Sequence, residues 1–146
     1  MNAEFQGYRR DAKIDGLPHE SGVYIVYRGV YSPPDTCTLK EIIYIGKADD
    51  INDRLRNHDR RPDFEKELRP GETLYYAYAV VTQDENKKAL ENALICSQKP
   101  RLNIDLRDNY VHEISDFNIS GACALVDPHP WSVKEPFTIQ LQKASK

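Results

Sequence analysis

Three side chains stand out because their types and positions could hydrolyse a phosphodiester bond. Arg54 and His58 lie four residues apart on a predicted helix, so both can face one site. Glu91 lies on a later predicted helix, at the edge of that helix's apolar stripe. The reaction needs a base for water, a metal ion to neutralise charge and a cation at the phosphorus. Arginine has a planar fork of donors for phosphate, and one carboxylate with substrate phosphate can hold Mg²⁺.

The strands that must position these residues follow from β-branched and aromatic runs. Residues 22–27 and 41–46 are two such runs, and Pro33-Pro34 between them cannot lie in a central strand. They predict an antiparallel hairpin with an enlarged connection. Residues 73–81, very rich in β-formers, predict a third strand.

The predicted helices alternate with these strands. Asp49 or Asp50 can cap a first helix that runs to about His58. A short polar helix is expected over 63–68 and a longer one over 84–97, ended by Pro100 and followed by a short extended segment. The elements together predict an α+β (α/β) fold: a small, mainly antiparallel three-stranded sheet flanked by helices.

Composition narrows the class of protein. The 146 residues are 40% hydrophobic, with interspersed charges, which is typical of one globular domain. No window reaches the roughly 18 apolar residues of a membrane span, and the N-terminus lacks the apolar core of a signal peptide. We therefore expect a cytoplasmic protein without a membrane partner.

Charge and cysteine content are less decisive. A net charge of −3 argues mildly against a nucleic-acid partner, but phosphate is met by a local patch rather than by the sum. One patch exists, although such a run is often only a solvated helix face; its members are Lys47, Arg54, Arg56, Arg60 and Arg61. The cysteines at 37, 96 and 123 form no CxxC pair, so a disulfide or a structural zinc site is not expected.

Two triplets carry a resemblance to a known family. Gly22-Val23-Tyr24 and Tyr44-Ile45-Gly46 resemble the two halves of the GIY-YIG nuclease signature, with valine for isoleucine at Val23. The family's further markers also have matches in the right order, namely Arg54, His58, Glu91 and Asn103. The resemblance covers about 22–104, and the 20-residue spacing between Tyr24 and Tyr44 is longer than usual in the family.

The resemblance implies a role for each catalytic candidate. Glu91 resembles the single metal-binding carboxylate, and Arg54 the arginine that grips the scissile phosphate. Tyr24 and Tyr44 resemble the paired tyrosines that position or deprotonate the attacking water. A tyrosine with a pKa near 10 is a poor base at neutral pH, so both roles stay open, as does a plain core role.

Supporting roles follow in the same way. His58 could hydrogen-bond a tyrosine or the phosphate, or be a satisfied surface histidine. Asn103 resembles the asparagine that holds the site together, Gly46 avoids crowding the neighbouring backbone, and Lys47 is a candidate helper cation. Three further basic residues are interpreted as phosphate contacts, which position nucleic acid without specifying sequence: Arg56, Arg60 and Arg61.

The function implied by the resemblance is a metal-dependent endonuclease. It would hydrolyse DNA phosphodiester bonds with one Mg²⁺ or Mn²⁺ per active site, as a restriction-like or accessory repair enzyme. The alternative is a non-catalytic nucleic-acid-binding module that keeps the fold, and a third hypothesis is a protein-interaction domain. The sequence does not decide between DNA and RNA.

Three segments are predicted: an irregular N-terminal stretch over 1–21, the nuclease domain over 22–106 and an extension over 107–146. The extra hairpin residues are expected to bulge at its tip. Residues 137–142 alternate as a strand does, and with Trp131 they could form a homodimer interface. Alternatively, the extension covers its own domain's core.

Overall fold

The computed structural model describes residues 1–126, and the backbone of 131–132. A strand and a 3-10 helix precede the hairpin that carries both tyrosine triplets. The elements in chain order are β1 (Asn2–Arg10), the 3-10 helix (Asp11–Gly16), β2 (Gly22–Ser32), β3 (Thr36–Ala48), α1 (Ile51–Arg56), α2 (Arg61–Lys66), β4 (Glu72–Val80), α3 (Asp84–Gln98), β5 (Asp116–Gly121) and β6 (Trp131–Ser132).

The strands form one six-stranded sheet in the order β3-β2-β4-β1-β5-β6. The pairs β2–β3, β2–β4, β1–β4 and β5–β6 are antiparallel, and only β1–β5 is parallel among the described strands. The α+β class and the antiparallel β2–β3–β4 core are confirmed. The predicted sheet has too few strands, three instead of six, because β1, β5 and β6 extend the sheet beyond β4.

Helices cover both faces of the sheet because side chains alternate along β2. Ile25 and Tyr27 pack in the same core cluster as Leu90 of α3. Val26 packs in a second cluster with Leu55 of α1. Since neighbouring strand residues point to opposite faces, α3 lies on one face, and α1 and α2 lie on the other.

The prediction of an irregular N-terminal segment is wrong. Residues 2–10 form β1, and Ala3 and Phe5 alternate with exposed neighbours and are buried in the core. Gln6 pairs with Tyr78, so β1 lies directly beside β4. The alternation of apolar and polar residues around Ala3 and Phe5 is short and is followed by polar and charged residues. Pairing with β4 supplies the hydrogen bonds that make this segment a strand.

The prediction that the extra hairpin residues bulge is also wrong. They lengthen both strands, so that Tyr31 pairs with Cys37 and Ser32 with Thr36 close to the turn. The register shifts after Val26 and again after Arg28. Tyr31 and the facing residues pack against the core, and burial of these side chains favours paired strands over a loop.

Helix bounds differ slightly from the predictions. The side chain of Asp50 accepts a hydrogen bond from Asp53 N, which confirms the predicted cap, but α1 ends at Arg56, two residues before His58. In the described residues no helix is long and apolar enough to cross a membrane. The predicted strand at 137–142, and with it the interface hypothesis, lies outside the described residues.

Candidate active site

Tyr24 lies at the centre of a hydrogen-bonded group that joins β2 to α1 and to the residues just after it. Its ring is buried, and its hydroxyl oxygen lies 2.7 Å from Nε2 of His58. The Arg54 guanidinium also interacts with this hydroxyl. Arg54 in turn pairs with the exposed Asp59 at 2.9 Å. Two cationic or N–H donors therefore converge on one phenol oxygen.

The tautomer of His58 can be inferred from its partners. Its Nδ1 accepts a hydrogen bond from the Arg60 backbone N–H at 3.0 Å. Asp59 Oδ1 lies 3.5 Å from the same nitrogen, too far to compete with that bond. Burial, and then the charge of Arg54, lower the pKa of His58 to about 4. The ring is therefore neutral, with its proton on Nε2, and it donates to the Tyr24 oxygen.

The low pKa of His58 predicts a loss of stability in mild acid. The unfolded chain binds a proton near the ordinary pKa of 6.5 and the folded chain only near 4. Stability is thus complete above pH 6.5 and falls as the pH drops towards 4, by at most about 3 kcal/mol. Urea denaturation at several pH values should show a steeper loss for the wild type than for His58→Gln. Parallel pH profiles would contradict the buried, neutral assignment.

Tyr44 of β3 completes an aromatic cluster beside Tyr24. Their rings are stacked, with centroids 6.4 Å apart, and His58 stands edge-on to Tyr44 at 5.3 Å. Phe64 of α2 packs against Tyr44 at 5.1 Å, and the Arg60 guanidinium lies over the ring at 5.6 Å from its centroid. Burial raises the pKa of both tyrosines, most strongly that of Tyr24. Both are therefore neutral phenols in the protein alone.

Gly46 is required by the position of the Tyr24 hydroxyl. A Cβ atom at Gly46 would lie 2.3 Å from Tyr24 Oη and 2.5 Å from its Cζ, because these residues are cross-strand partners. Only glycine, which has no Cβ atom, leaves room for the end of the Tyr24 ring.

The substitution Gly46→Ala should therefore displace the Tyr24 ring. We expect a loss of about 1–3 kcal/mol in unfolding free energy from overpacking. The His58–Tyr24 hydrogen bond should break as well. The second change can be seen by NMR as an altered His58 imidazole signal. Gly71→Ala is a matched stability control in open space, although its positive φ of 82° adds backbone strain. An unchanged His58 signal in Gly46→Ala would contradict the close approach.

Asn103 fixes the backbone that carries Tyr44 and Gly46. Its Oδ1 accepts from Ile45 N at 2.9 Å, and its Nδ2 donates to Ile45 O at 2.8 Å. Leu102 N also donates to Ile43 O at 3.1 Å. The side chain thus makes the two bonds that a neighbouring strand would make on the free edge of β3. These bonds position the backbone of β3, which is the kind of role that the resemblance implies for Asn103.

Glu91 reaches the site from α3, on the other side of the β3 edge. Its half-buried carboxylate accepts a backbone hydrogen bond from Lys47. Burial raises its pKa, and the charge of Lys47 opposes that rise. No cation lies at ion-pair distance from it among residues 1–126. An ion such as Mg²⁺, which binds one carboxylate together with waters and phosphate, fits this donor.

The described residues contain no cluster of three His, Cys, Asp or Glu side chains that could hold a metal ion by themselves. A divalent ion at Glu91 would complete its ligand set with water or substrate oxygens. This agrees with Mg²⁺ or Mn²⁺ and not with a closed structural site.

The basic residues of the sequence patch divide into two groups. Lys47 is exposed beside Glu91, and Arg56 is largely exposed on α1. Arg60 instead pairs with Asp63 at 2.6 Å and donates to Leu102 O. Arg61 makes a two-point contact with Asp11, with the shorter bond at 2.6 Å. The structure therefore brings Lys47 and Arg54 to the site, whereas Arg60 and Arg61 are braced against protein carboxylates.

Sequence reasoning missed Lys87 of α3, which is only 4% exposed. Its Nζ donates to Ser21 Oγ at 2.9 Å and to Asp49 Oδ1 at 2.6 Å. These bonds tie α3 to the segments just before β2 and just after β3. Because Lys87 and Glu91 are four residues apart, Lys87 holds the helix face that presents Glu91. That spacing was the only signal available in the sequence.

Several known proteins are similar in sequence to this chain. A family model described as the UvrC-like GIY-YIG domain matches residues 21–104, more than half of the chain. UvrABC system protein C of Koribacter versatilis is 38% identical over 101 residues, which cover 66% of this chain and 15% of that protein. The Solibacter usitatus protein of the same name is 33% identical over 100 residues, with the same two coverages.

A similar solved structure is the GIY-YIG N-terminal endonuclease domain of UvrC from Thermotoga maritima, bound to magnesium. It is 28% identical, covers 64% of this chain and 93% of that one, and gives a TM-score of 0.44. The chain spans about 15% of the length of the curated relatives named above. From the match over 21–104, the chain belongs to the UvrC-like GIY-YIG domain family.

Proposed function

We propose that this chain is a metal-dependent endonuclease domain that hydrolyses DNA phosphodiester bonds at one Mg²⁺ or Mn²⁺ per site. One observation carries the proposal: the Tyr24 hydroxyl, held by His58 at 2.7 Å and contacted by Arg54, lies near the carboxylate of Glu91. The charge of Glu91 raises the pKa of both tyrosines, after the larger effect of burial, so the groups share one electrostatic environment.

Each side chain then has one task. Arg54, 39% exposed, can exchange its exposed partner Asp59 for a phosphate oxygen and stabilise the charge that develops there. Tyr24 accepts from His58, so its own proton can point to an attacking water or its oxygen can hold that water in line. As a neutral phenol it orients the water rather than removing its proton. The ring of Tyr44 packs against the ring of Tyr24.

The metal ion, when bound at Glu91, would supply charge neutralisation and a more acidic water. The protein supplies the carboxylate, held by the Lys47 backbone N–H, and the partly buried surroundings that strengthen its field. Lys47 itself, exposed beside that carboxylate, is placed to meet a flanking phosphate together with Arg56.

The biological setting we propose is incision in excision repair rather than restriction. The support is the match of 21–104 to the UvrC-like model and the similarity to proteins named UvrABC system protein C.

Cleavage of supercoiled plasmid tests the proposal. We expect nicked circles in Mg²⁺ or Mn²⁺ and none in EDTA, since one metal site cuts one strand at a time. Linear product should appear only after nicked product. A single-stranded RNA with as many nucleotides as one plasmid strand serves as the comparison substrate. We expect the protein to cut this RNA more slowly than the plasmid. DNA binding without cleavage in either metal would favour the non-catalytic module instead.

A further inference from the structure

A second polar cavity lies at the far end of the β2–β3 hairpin, where β1 and the lengthened hairpin meet. Its volume is about 200 Å³. Its lining includes three basic and three tyrosine side chains, those of Arg9, Arg10, Lys13, Tyr8, Tyr31 and Tyr75. Tyr31 lies about seven residues beyond Tyr24 on β2, or about 23 Å at the rise of a strand. The cavity is thus remote from Glu91 and Arg54.

Tyr75 gives the cavity an unmet hydrogen-bonding group. The residue is 2% exposed, and its hydroxyl has no hydrogen-bond partner among the described residues. The other two tyrosine hydroxyls are satisfied: Tyr31 donates to Pro34 O, and Tyr8 accepts from Ala124 N, each at 2.7 Å. A buried hydroxyl without a partner costs free energy, so a ligand that bonds to it is favoured.

Three cations, Arg9, Arg10 and Lys13, line the same cavity as Tyr75. The Cζ atom of Arg10 lies over the Tyr31 ring, 3.6 Å from its centroid, in a cation–π contact. No ion pair joins Arg9, Arg10 or Lys13 to a carboxylate within residues 1–126. Asp35 is the one acidic side chain in the described lining. The cavity is therefore cationic and aromatic.

We propose that this cavity binds a nucleotide, with the base against the tyrosines and bonded to Tyr75, and the phosphate at Arg9, Arg10 and Lys13. A volume of about 200 Å³ suits a single ring system, smaller than a drug-sized ligand needs. Bases stack on aromatic rings and on guanidinium planes, and arginine edges bind phosphate. The site does not depend on cleavage at Glu91. Its ligand could be a free mononucleotide or one nucleotide of a single strand.

The test measures binding in EDTA, where no cleavage occurs. The probes are thymidine 5′-monophosphate, by calorimetry, and a labelled ten-residue oligothymidylate, by fluorescence anisotropy. Tyr75→Phe should weaken binding about fivefold through loss of one hydrogen bond, and Arg10→Gln about tenfold through loss of a phosphate contact. Arg69→Gln, which removes an exposed arginine outside the cavity, is the charge control and should change neither affinity.

The two probes separate the two sources of the nucleotide. Binding of the monophosphate that the cavity variants weaken indicates a free nucleotide. Binding of the oligonucleotide alone, with the same dependence on Tyr75 and Arg10, indicates a strand. If neither variant changes the affinity for either probe, the proposal is overturned. Inorganic phosphate that competes as well as the monophosphate would also overturn it, since the base would then contribute nothing.

A stability measurement checks the premise about Tyr75. Its cross-strand partner Tyr27 is a matched control, because the buried Tyr27 hydroxyl donates to Ala124 O at 2.7 Å. Tyr27→Phe should lower the Tm, whereas Tyr75→Phe should leave it unchanged or raise it. A Tm loss in Tyr75→Phe as large as that in Tyr27→Phe would mean that the hydroxyl is already bonded, and would contradict the proposal.

Discussion

Replacing Glu91 by glutamine is expected to abolish Mg²⁺-dependent nicking while the domain stays folded. Glutamine keeps the shape and can still accept the Lys47 backbone hydrogen bond. It removes the charge on which a divalent cation depends, and the described residues hold no group of three His, Cys, Asp or Glu side chains that could bind a metal ion without it. Since burial already disfavours the charged form of Glu91, the neutral variant should be at least as stable as the wild type.

The measurement is the initial rate of plasmid nicking over a Mg²⁺ titration, with thermal denaturation of each variant alongside. Glu85→Gln is the matched control, because Glu85 lies exposed in the first turn of the same helix. It should nick at the wild-type rate. If the Glu91→Gln variant retains even a tenth of the wild-type activity in Mg²⁺, Glu91 is not the metal ligand.

Arg54→Ala is expected to lower kcat on the order of 10²–10³-fold, the effect of losing one donor group at a developing charge. The substitution removes the guanidinium that meets both Tyr24 and, in the proposed complex, the scissile phosphate. The structural cost should be small, since Asp59 is 72% exposed and Arg54 is 39% exposed, and ion pairs near the surface contribute about 0–1 kcal/mol.

Arg56→Ala, two residues later on α1, separates transition-state stabilisation from phosphate binding. Arg56 is 38% exposed and its guanidinium contacts Asn52 and Asp53, so its loss should raise KM and leave kcat nearly unchanged. Arg54→Lys should recover only part of the rate, because an ammonium lacks the planar fork. A drop in kcat of less than threefold for Arg54→Ala would show that Arg54 is only a surface residue and does not stabilise the transition state.

The central elements could be predicted because their local patterns agree with their environment. The runs in β2, β3 and β4 and the apolar stripe of α3 all bury the side chains that their periodicity indicates. β1 could not be predicted, because a short alternation beside a charged stretch becomes a strand only through its partner β4. The hairpin extension was misread for a related reason: Pro33 and Pro34 mark the turn, but they do not indicate how far the strands run towards it.

The site shows the same division between what spacing fixes and what tertiary contacts fix. Arg54 and His58 both reach the Tyr24 hydroxyl, although His58 lies beyond the end of α1, and Asn103 holds Ile45. The tautomer of His58 depends on the Arg60 backbone N–H, which no sequence pattern indicates. The bracing of Arg61 by Asp11 also joins segments fifty residues apart. Only the folded chain separates cations already bound to carboxylates from those still able to meet phosphate.

The carboxamide of Asn103 has a consequence for self-association. β3 is an outer strand of the sheet, and outer strands with open N–H and C=O groups invite pairing with another molecule. Asn103 and Leu102 occupy these groups at Ile45 and Ile43, which closes the outer strand on both sides of Tyr44. A second copy therefore cannot add a strand there. Two copies cutting the two strands of a duplex would have to meet through other surfaces, and both catalytic edges would stay open to DNA.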